Sequence, residues 1–254
     1  MFRNWFNRRA KWLEEGLDAQ QRELLAESVP QWNQLAAAEQ RRLSGIVRVL
    51  LEEKSFEACG GITLTPGMKL SIAGYAGLML LGGISDYFPD LRSILVYPRA
   101  YIAPVEEYDE AGILTIGREQ RFGESWEMGS LVLAWDEIRR HQQTGSSDNL
   151  VIHEFAHQID DELEISLEVE RILNGNADTP WAADMAKMWE KFSRQPRTLP
   201  QVDPYGAEHH SEFFAVLSEL FFTRSQALKA DSPRLYEIMS GIYNYRAEFD
   251  VSGG

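Results

Sequence analysis

The sequence predicts a helix-rich α+β fold, and three observations carry that expectation. Apolar residues recur at helical spacing through residues 32–53, 67–81, 150–160 and 211–222. Short runs rich in branched and aromatic residues, at 94–97, 113–117 and 129–135, read as strands. The last of these strands precedes a helix that carries two histidines four residues apart.

Taken in order, residues 1–17 place Arg3, Arg8, Arg9 and Lys11 among Trp5 and Trp12, a basic amphipathic arm expected to dock as a surface helix. Glu14, Glu15 and Asp18 stand where a secretory signal would need an apolar stretch. The expected organisation is a single domain over 1–254, with a helical arm at 1–30 and the core at 31–254. Leu35, Leu43, Val47, Leu50 and Leu51 form the core stripe of the helix at 32–53. Residues 72–84 are the most apolar run. A bilayer span takes about 20 residues, so this run is read as a buried helix. Asp136 can cap a brief helix ahead of the histidine helix. Residues 167–204 read as a linker with one helix at 181–192, punctuated by Gly175, Pro180, Pro196, Pro200 and Pro204. Helices at 211–222 and 233–245 close the chain.

Composition narrows the function. With 254 residues, 44% of them hydrophobic, the chain can bury a substantial core. A net charge of −14, which no strongly basic face offsets, argues against nucleic acid as a partner. One cysteine, Cys59, rules out an intrachain disulfide framework and fits a reducing, cytoplasmic setting.

The chemistry is concentrated in His153-Glu154-Phe155-Ala156-His157. Residues four apart on a helix differ in direction by about 40° and lie roughly 6 Å apart. Two imidazoles so placed can converge on one metal ion. Glu154 is turned about 100° from His153, so it can reach a water on that metal without ligating the metal itself. This is the arrangement a zinc hydrolase of peptide bonds requires. Gly145-Ser146-Ser147-Asp148 supplies turn and N-cap chemistry before the helix, and Val151, Ile152, Phe155 and Ile159 supply its buried face. Asp160 shares the histidine face. It either holds a ligand imidazole by a hydrogen bond or sits as a solvated helix-end carboxylate.

Two histidines need a third ligand. A histidine six residues after His157 would mark one class of zinc peptidase, but that position is Leu163. The other common solution is a carboxylate from a second helix. Residues 211–222 offer Glu212 and Glu219, two turns apart on one face of an apolar helix. Either could complete the site, leaving the other to orient a ligand histidine or to face solvent. The expected cofactor is one Zn2+ per chain.

These residues belong to longer blocks that resemble the Mlc titration factor A family, bacterial zinc metallopeptidases linked to glucose regulation. The blocks are Ile-Leu-Val-Tyr-Pro at 94–98, Gly-Ser-Leu-Val-Leu-Ala-Trp at 129–135 and His-Glu-Phe-Ala-His-Gln-Ile-Asp at 153–160. They continue with Asp-Pro-Tyr-Gly-Ala at 203–207, Glu-Phe-Phe-Ala-Val-Leu-Ser-Glu at 212–219 and Pro-Arg-Leu-Tyr at 233–236, covering most of the chain from Trp32 onward. The resemblance implies a zincin-like domain of the gluzincin type, with His153, His157 and Glu212 as zinc ligands and Glu154 as general base. It also implies that Tyr205 matches a tyrosine shared with the catalytic domain of anthrax lethal factor, where a phenol can donate to the oxyanion. Aminopeptidase-like activity on short peptides, binding of the transcriptional repressor Mlc and a role in glucose uptake are implied in the same way. One departure is His209-His210, where the family more often has Asn-Pro. That pair is read as an exposed loop.

For a peptide substrate the candidate docking strand is 129–135, through Gly129, Leu131 and Leu133, if it forms an exposed sheet edge. An internal strand is the other reading of the same residues. The rival function is a binding protein that sequesters a transcriptional regulator around a structural zinc. Such a protein would tolerate Glu154→Gln, and an enzyme would not.

Overall fold

The chain opens with α1 (Phe2–Glu15), and Arg9 fastens it to the rest of the fold. The Arg9 guanidinium grips Glu53 through two bonds of 2.8 and 2.7 Å and also reaches Asp86. A paired fork of this kind gives orientation as well as energy. Asp18 and Gln21 cap α2 (Ala19–Ser28) reciprocally, at 2.8 and 3.0 Å. Leu17, Leu25 and Val29 enter the same hydrophobic cluster as the histidine helix, so the segment 17–29 builds core as well as surface.

The computed structural model describes residues 2–99, 101–108, 114–121, 123–126, 129–144, 146–176 and 179–250. The helix expected over 32–53 starts later than its apolar pattern. A 3-10 turn spans Pro30–Gln34, and α3 (Ala37–Glu53) follows, its start fixed by Glu39 accepting the Ala36 N–H at 3.0 Å. Strand β1 (Ser55–Ala58) was not expected, because four mostly exposed residues carry no apolar alternation.

Helix α4 (Pro66–Met79) is the expected buried helix, with Thr65 as N-cap and Pro66 in its first turn. Its glycines admit its neighbours. A Cβ at Gly74 would lie 2.5 Å from Leu25 and 2.8 Å from Val29, and one at Gly77 would lie 2.9 Å from Leu43. Helices α2 and α3 therefore pack directly onto the α4 backbone.

Next come β2 (Ser93–Tyr97), β3 (Tyr101–Tyr108), β4 (Leu114–Arg121), β5 (Gly123–Trp126) and β6 (Ser130–Ala134). Strand β4 accounts for the run expected at 113–117, except Ile113, which lies outside the described residues. One sheet has the order β1-β2-β6-β5, with β1, β2 and β6 parallel and β5 antiparallel to β6. A separate antiparallel pair joins β3 to β4.

This order corrects the docking-strand expectation. β6 is internal, paired with β2 on one side and β5 on the other, so it has no free edge to offer a substrate. Leu131 and Leu133 are fully buried in the core, and Gly129 leads into the strand in a left-handed turn at φ 75°. Edge β5 lies beside the histidine helix instead.

The remaining elements are helical: α5 (Trp135–Thr144), α6 (Leu150–Leu163), α7 (Ile165–Leu173), α8 (Pro180–Arg194), α9 (His210–Thr223), α10 (Ser225–Asp231) and α11 (Pro233–Ile242). The expected linker therefore holds a second helix. Glu164, left-handed at φ 52°, ends α6, and α7 restarts at once with Ile165, Val169 and Ile172 on its inner face. Among the described residues, no helix is long and apolar enough to cross a membrane.

Candidate metal centre

Helix α6 is held by burial on one side and left open on the other. Val151, Ile152, Phe155 and Ile159 are buried, and Phe88 packs edge-on against Phe155 at 4.7 Å. The opposite face carries His153 and His157, both half-buried. The N-cap is Asn149, one residue beyond the turn expected to supply it, and its Oδ1 accepts the Ile152 N–H at 3.1 Å.

Helix α9 lies against α6. Phe213, Phe214, Leu217 and Phe221 bury it, and Glu212 and Glu219 come round together on the side of the histidines. Three donor atoms converge there. His153 Nε2 lies 3.1 Å from Glu212 Oε2, His157 Nε2 lies 3.6 Å from the same oxygen, and the two Nε2 atoms are 3.3 Å apart. His153, His157 and Glu212 form the group able to hold a metal ion among the described residues.

The donor set fits zinc. A tetrahedral zinc with donors at about 2.0–2.1 Å separates those donors from one another by about 3.3 Å. The observed spacings bracket that value. Glu212 Oε2 is buried and accepts no hydrogen bond, so its lone pairs are available. His153 Nδ1–H donates to Glu219 Oε1 at 2.8 Å. Once the ring gives up its second proton, that bond keeps the remaining one on Nδ1 and leaves the Nε2 lone pair facing the cluster.

The two carboxylates of α9 thus take different places. Glu212 joins the cluster, while Glu219 sits behind His153, almost fully buried, and also accepts the backbone N–H of Asn149. Glu154 is 7% exposed, and burial raises its pKa against the pull of the two imidazoles. A raised carboxylate pKa suits a group that must hold and release a proton near neutrality. Tyr205 lies in a 3-10 turn (Pro204–Ala207), with its ring centre 6.1 Å from that of His153 and 47% of the residue exposed.

Asp160 is the second correction. Its carboxylate accepts the backbone N–H of Ser166 at 2.6 Å and the Ser166 hydroxyl as well. It ties the start of α7 to α6, and among the described residues its partner is Ser166 rather than an imidazole. Sequence reading missed Ser166 because the break at Glu164 was not foreseen. His209 and His210 do not form a free loop. His209 caps α9, and His210 opens the helix against Trp189, with ring centres 5.6 Å apart.

Fold and site together define the class: a helix-rich metallopeptidase-type centre, in which one helix supplies two histidines and a second supplies a carboxylate. The chain belongs to the glucose-regulated metallo-peptidase M90 family, whose model matches residues 2–244. It is 31% identical over 245 residues to an uncharacterized protein of Synechocystis sp., covering 94% of this chain and 89% of the relative. It is 29% identical over 253 residues to proteins named Mlc titration factor A in Yersinia pestis and Yersinia pseudotuberculosis, covering 92% of this chain and 89% of each.

Proposed function

We propose that this protein is a zinc-dependent peptidase of the gluzincin type, aminopeptidase-like on short peptides. The observation that carries the reading is the company kept by the three converging donors. Glu154 is adjacent to His153 in sequence, buried, and within electrostatic reach of all three donors, and the Tyr205 ring stands beside His153. A structural zinc site needs neither a base nor an oxyanion donor.

His153, His157 and Glu212 would hold the zinc, which when bound would supply Lewis acidity toward a carbonyl and toward water. Glu154 takes the proton from the attacking water and returns it to the leaving amine. The Tyr205 phenol donates to the oxyanion as the carbonyl carbon becomes tetrahedral. Glu219 keeps the His153 ring in register throughout. Substrate backbone pairs with the free edge of β5, which lies beside α6.

A second role rests on the relatives named Mlc titration factor A. This chain also binds a transcriptional repressor of that kind and in this way acts on glucose uptake, from a single domain in the cytoplasm. The half-buried free thiol of Cys59 accords with a reducing compartment. If the protein only sequestered a repressor, the cellular effect would survive Glu154→Gln intact.

The test is cleavage of a mixed short-peptide pool by the zinc-loaded protein, followed by mass spectrometry, beside the same pool N-acetylated. Stepwise loss of N-terminal residues from the free peptides alone is the expected result. Cleavage of both pools would make the protein an endopeptidase, and cleavage of neither would support the sequestering role.

A further inference from the structure

Asn149 stands at the start of α6, 2% exposed; two of its groups bond Glu219 and His153, and a third bonds the first turn of the helix. Its backbone N–H donates to Glu219 Oε2. Its carbonyl accepts the backbone N–H of His153 at 2.9 Å. Its side-chain Oδ1 accepts the Ile152 N–H at 3.1 Å. His153 in turn donates from Nδ1 to Glu219 Oε1 at 2.8 Å. Asn149, Glu219 and His153 therefore close a ring of hydrogen bonds that runs from the backbone of α6 to α9 and back to a ligand imidazole.

We infer that Asn149 is a positioning residue for the metal centre, acting on His153 through Glu219. This role rests on the zinc reading above and on the geometry of the N-cap. An N-cap residue has non-helical backbone angles, here φ −127° and ψ 97°, so its N–H points across to α9 and not along the helix axis. That direction holds only while the side chain is pinned to the first turn, which is the work of Oδ1. Without Oδ1 the cap loosens and the N–H swings away. Glu219 then loses one of its two partners, and the His153 ring loses its fixed orientation. The same residue that starts the helix thus aims its first ligand.

Asn149→Ala and Asn149→Gly both remove Oδ1, and glycine keeps most of the stability of an N-cap. Asn149→Ser restores an acceptor without adding charge. Thr65→Ala removes the cap of α4, whose Oγ1 accepts the Met68 N–H at 3.2 Å, and controls for lost cap stability alone. Zinc affinity is measured for each full-length protein by competition with a chromophoric chelator, and the downfield Nδ1–H resonance of His153 is followed by NMR.

Asn149→Ala and Asn149→Gly are expected to bind zinc about tenfold more weakly, with the resonance shifted or broadened, while Asn149→Ser and Thr65→Ala remain within about threefold of the parent. Should alanine fail to fold, the glycine variant carries the test. Unchanged affinity and an unshifted resonance in Asn149→Gly would overturn the assignment, as would an equal loss in Thr65→Ala. No zinc uptake by the parent would overturn the zinc reading itself, and the inference with it.

Discussion

Glu219 accepts the Nδ1 proton of His153 at 2.8 Å from the far side of the ring, while Glu212 Oε2 approaches Nε2 of the same ring at 3.1 Å. Two carboxylates seven residues apart on one helix thus grip one imidazole at both nitrogens. The near one completes the donor cluster, and the far one decides which nitrogen carries the lone pair.

Removing the far carboxylate leaves every donor of the cluster in place, yet it should weaken the site. Glu219→Ala is expected to lower zinc affinity by about ten- to a hundredfold, the usual cost of losing the partner of a ligand histidine. Chelator competition on the purified variant measures it.

Proton release should accompany metal uptake. Burial pulls the His153 pKa down, but the carboxylates of Glu212 and Glu219, one at each ring nitrogen, outweigh it and raise the pKa to about 10. Glu212 moves the other way, to about 2, because the imidazoles it faces outweigh its burial. With its folded pKa above the ordinary 6.5, His153 stabilises the metal-free protein fully below pH 6.5, and that contribution is lost as pH rises through about 10. Zinc must displace this proton, so affinity should rise with pH between 6.5 and 10, with about one proton released per zinc near neutrality. Calorimetry in buffers of different ionisation enthalpy counts the protons. A pH-independent affinity across that window would contradict the pairing.

Tyr205 makes a kinetic prediction. Tyr205→Phe keeps the ring beside His153 and removes the hydroxyl. It should lower kcat by about a hundredfold or more, the usual cost of one oxyanion donor, with KM and zinc content nearly unchanged.

Gly74 tests the packing behind the site. Gly74→Ala would place a methyl group 2.5 Å from Leu25. Overpacking of that kind costs about 1–3 kcal/mol, and better helix propensity returns at most about 1 kcal/mol. Urea unfolding should show a net loss of stability.

The parts of the site that were legible in the sequence are those that helical spacing alone determines. His153, Glu154 and His157 lie on one helix, so their relative directions follow from 3.6 residues per turn. The choice between Glu212 and Glu219 did not follow, because both lie on the same face and only the docking of α9 on α6 decides which one meets Nε2. The family resemblance, not the spacing, pointed to Glu212. Leu131 and Leu133 show a different limit. Strand composition does not reveal how many neighbours a strand has, and the short β5 that covers β6 gave no signal of its own. Neither expected reading of Asp160 includes Ser166, because that partner comes after a left-handed break at Glu164, a residue type that seldom adopts that conformation. The signal for α7 is present in Ile165, Val169 and Ile172, but it is short and lies against the Gly- and Pro-punctuated stretch that follows.

The proposed role of Glu154 as the base of a zinc peptidase rests on one comparison: zinc content and peptide hydrolysis measured in the same samples of the parent and Glu154→Gln. Equal zinc in both, with turnover in the parent and a loss of several hundredfold or more in the variant, is the predicted result. Equal zinc with equal turnover would contradict it.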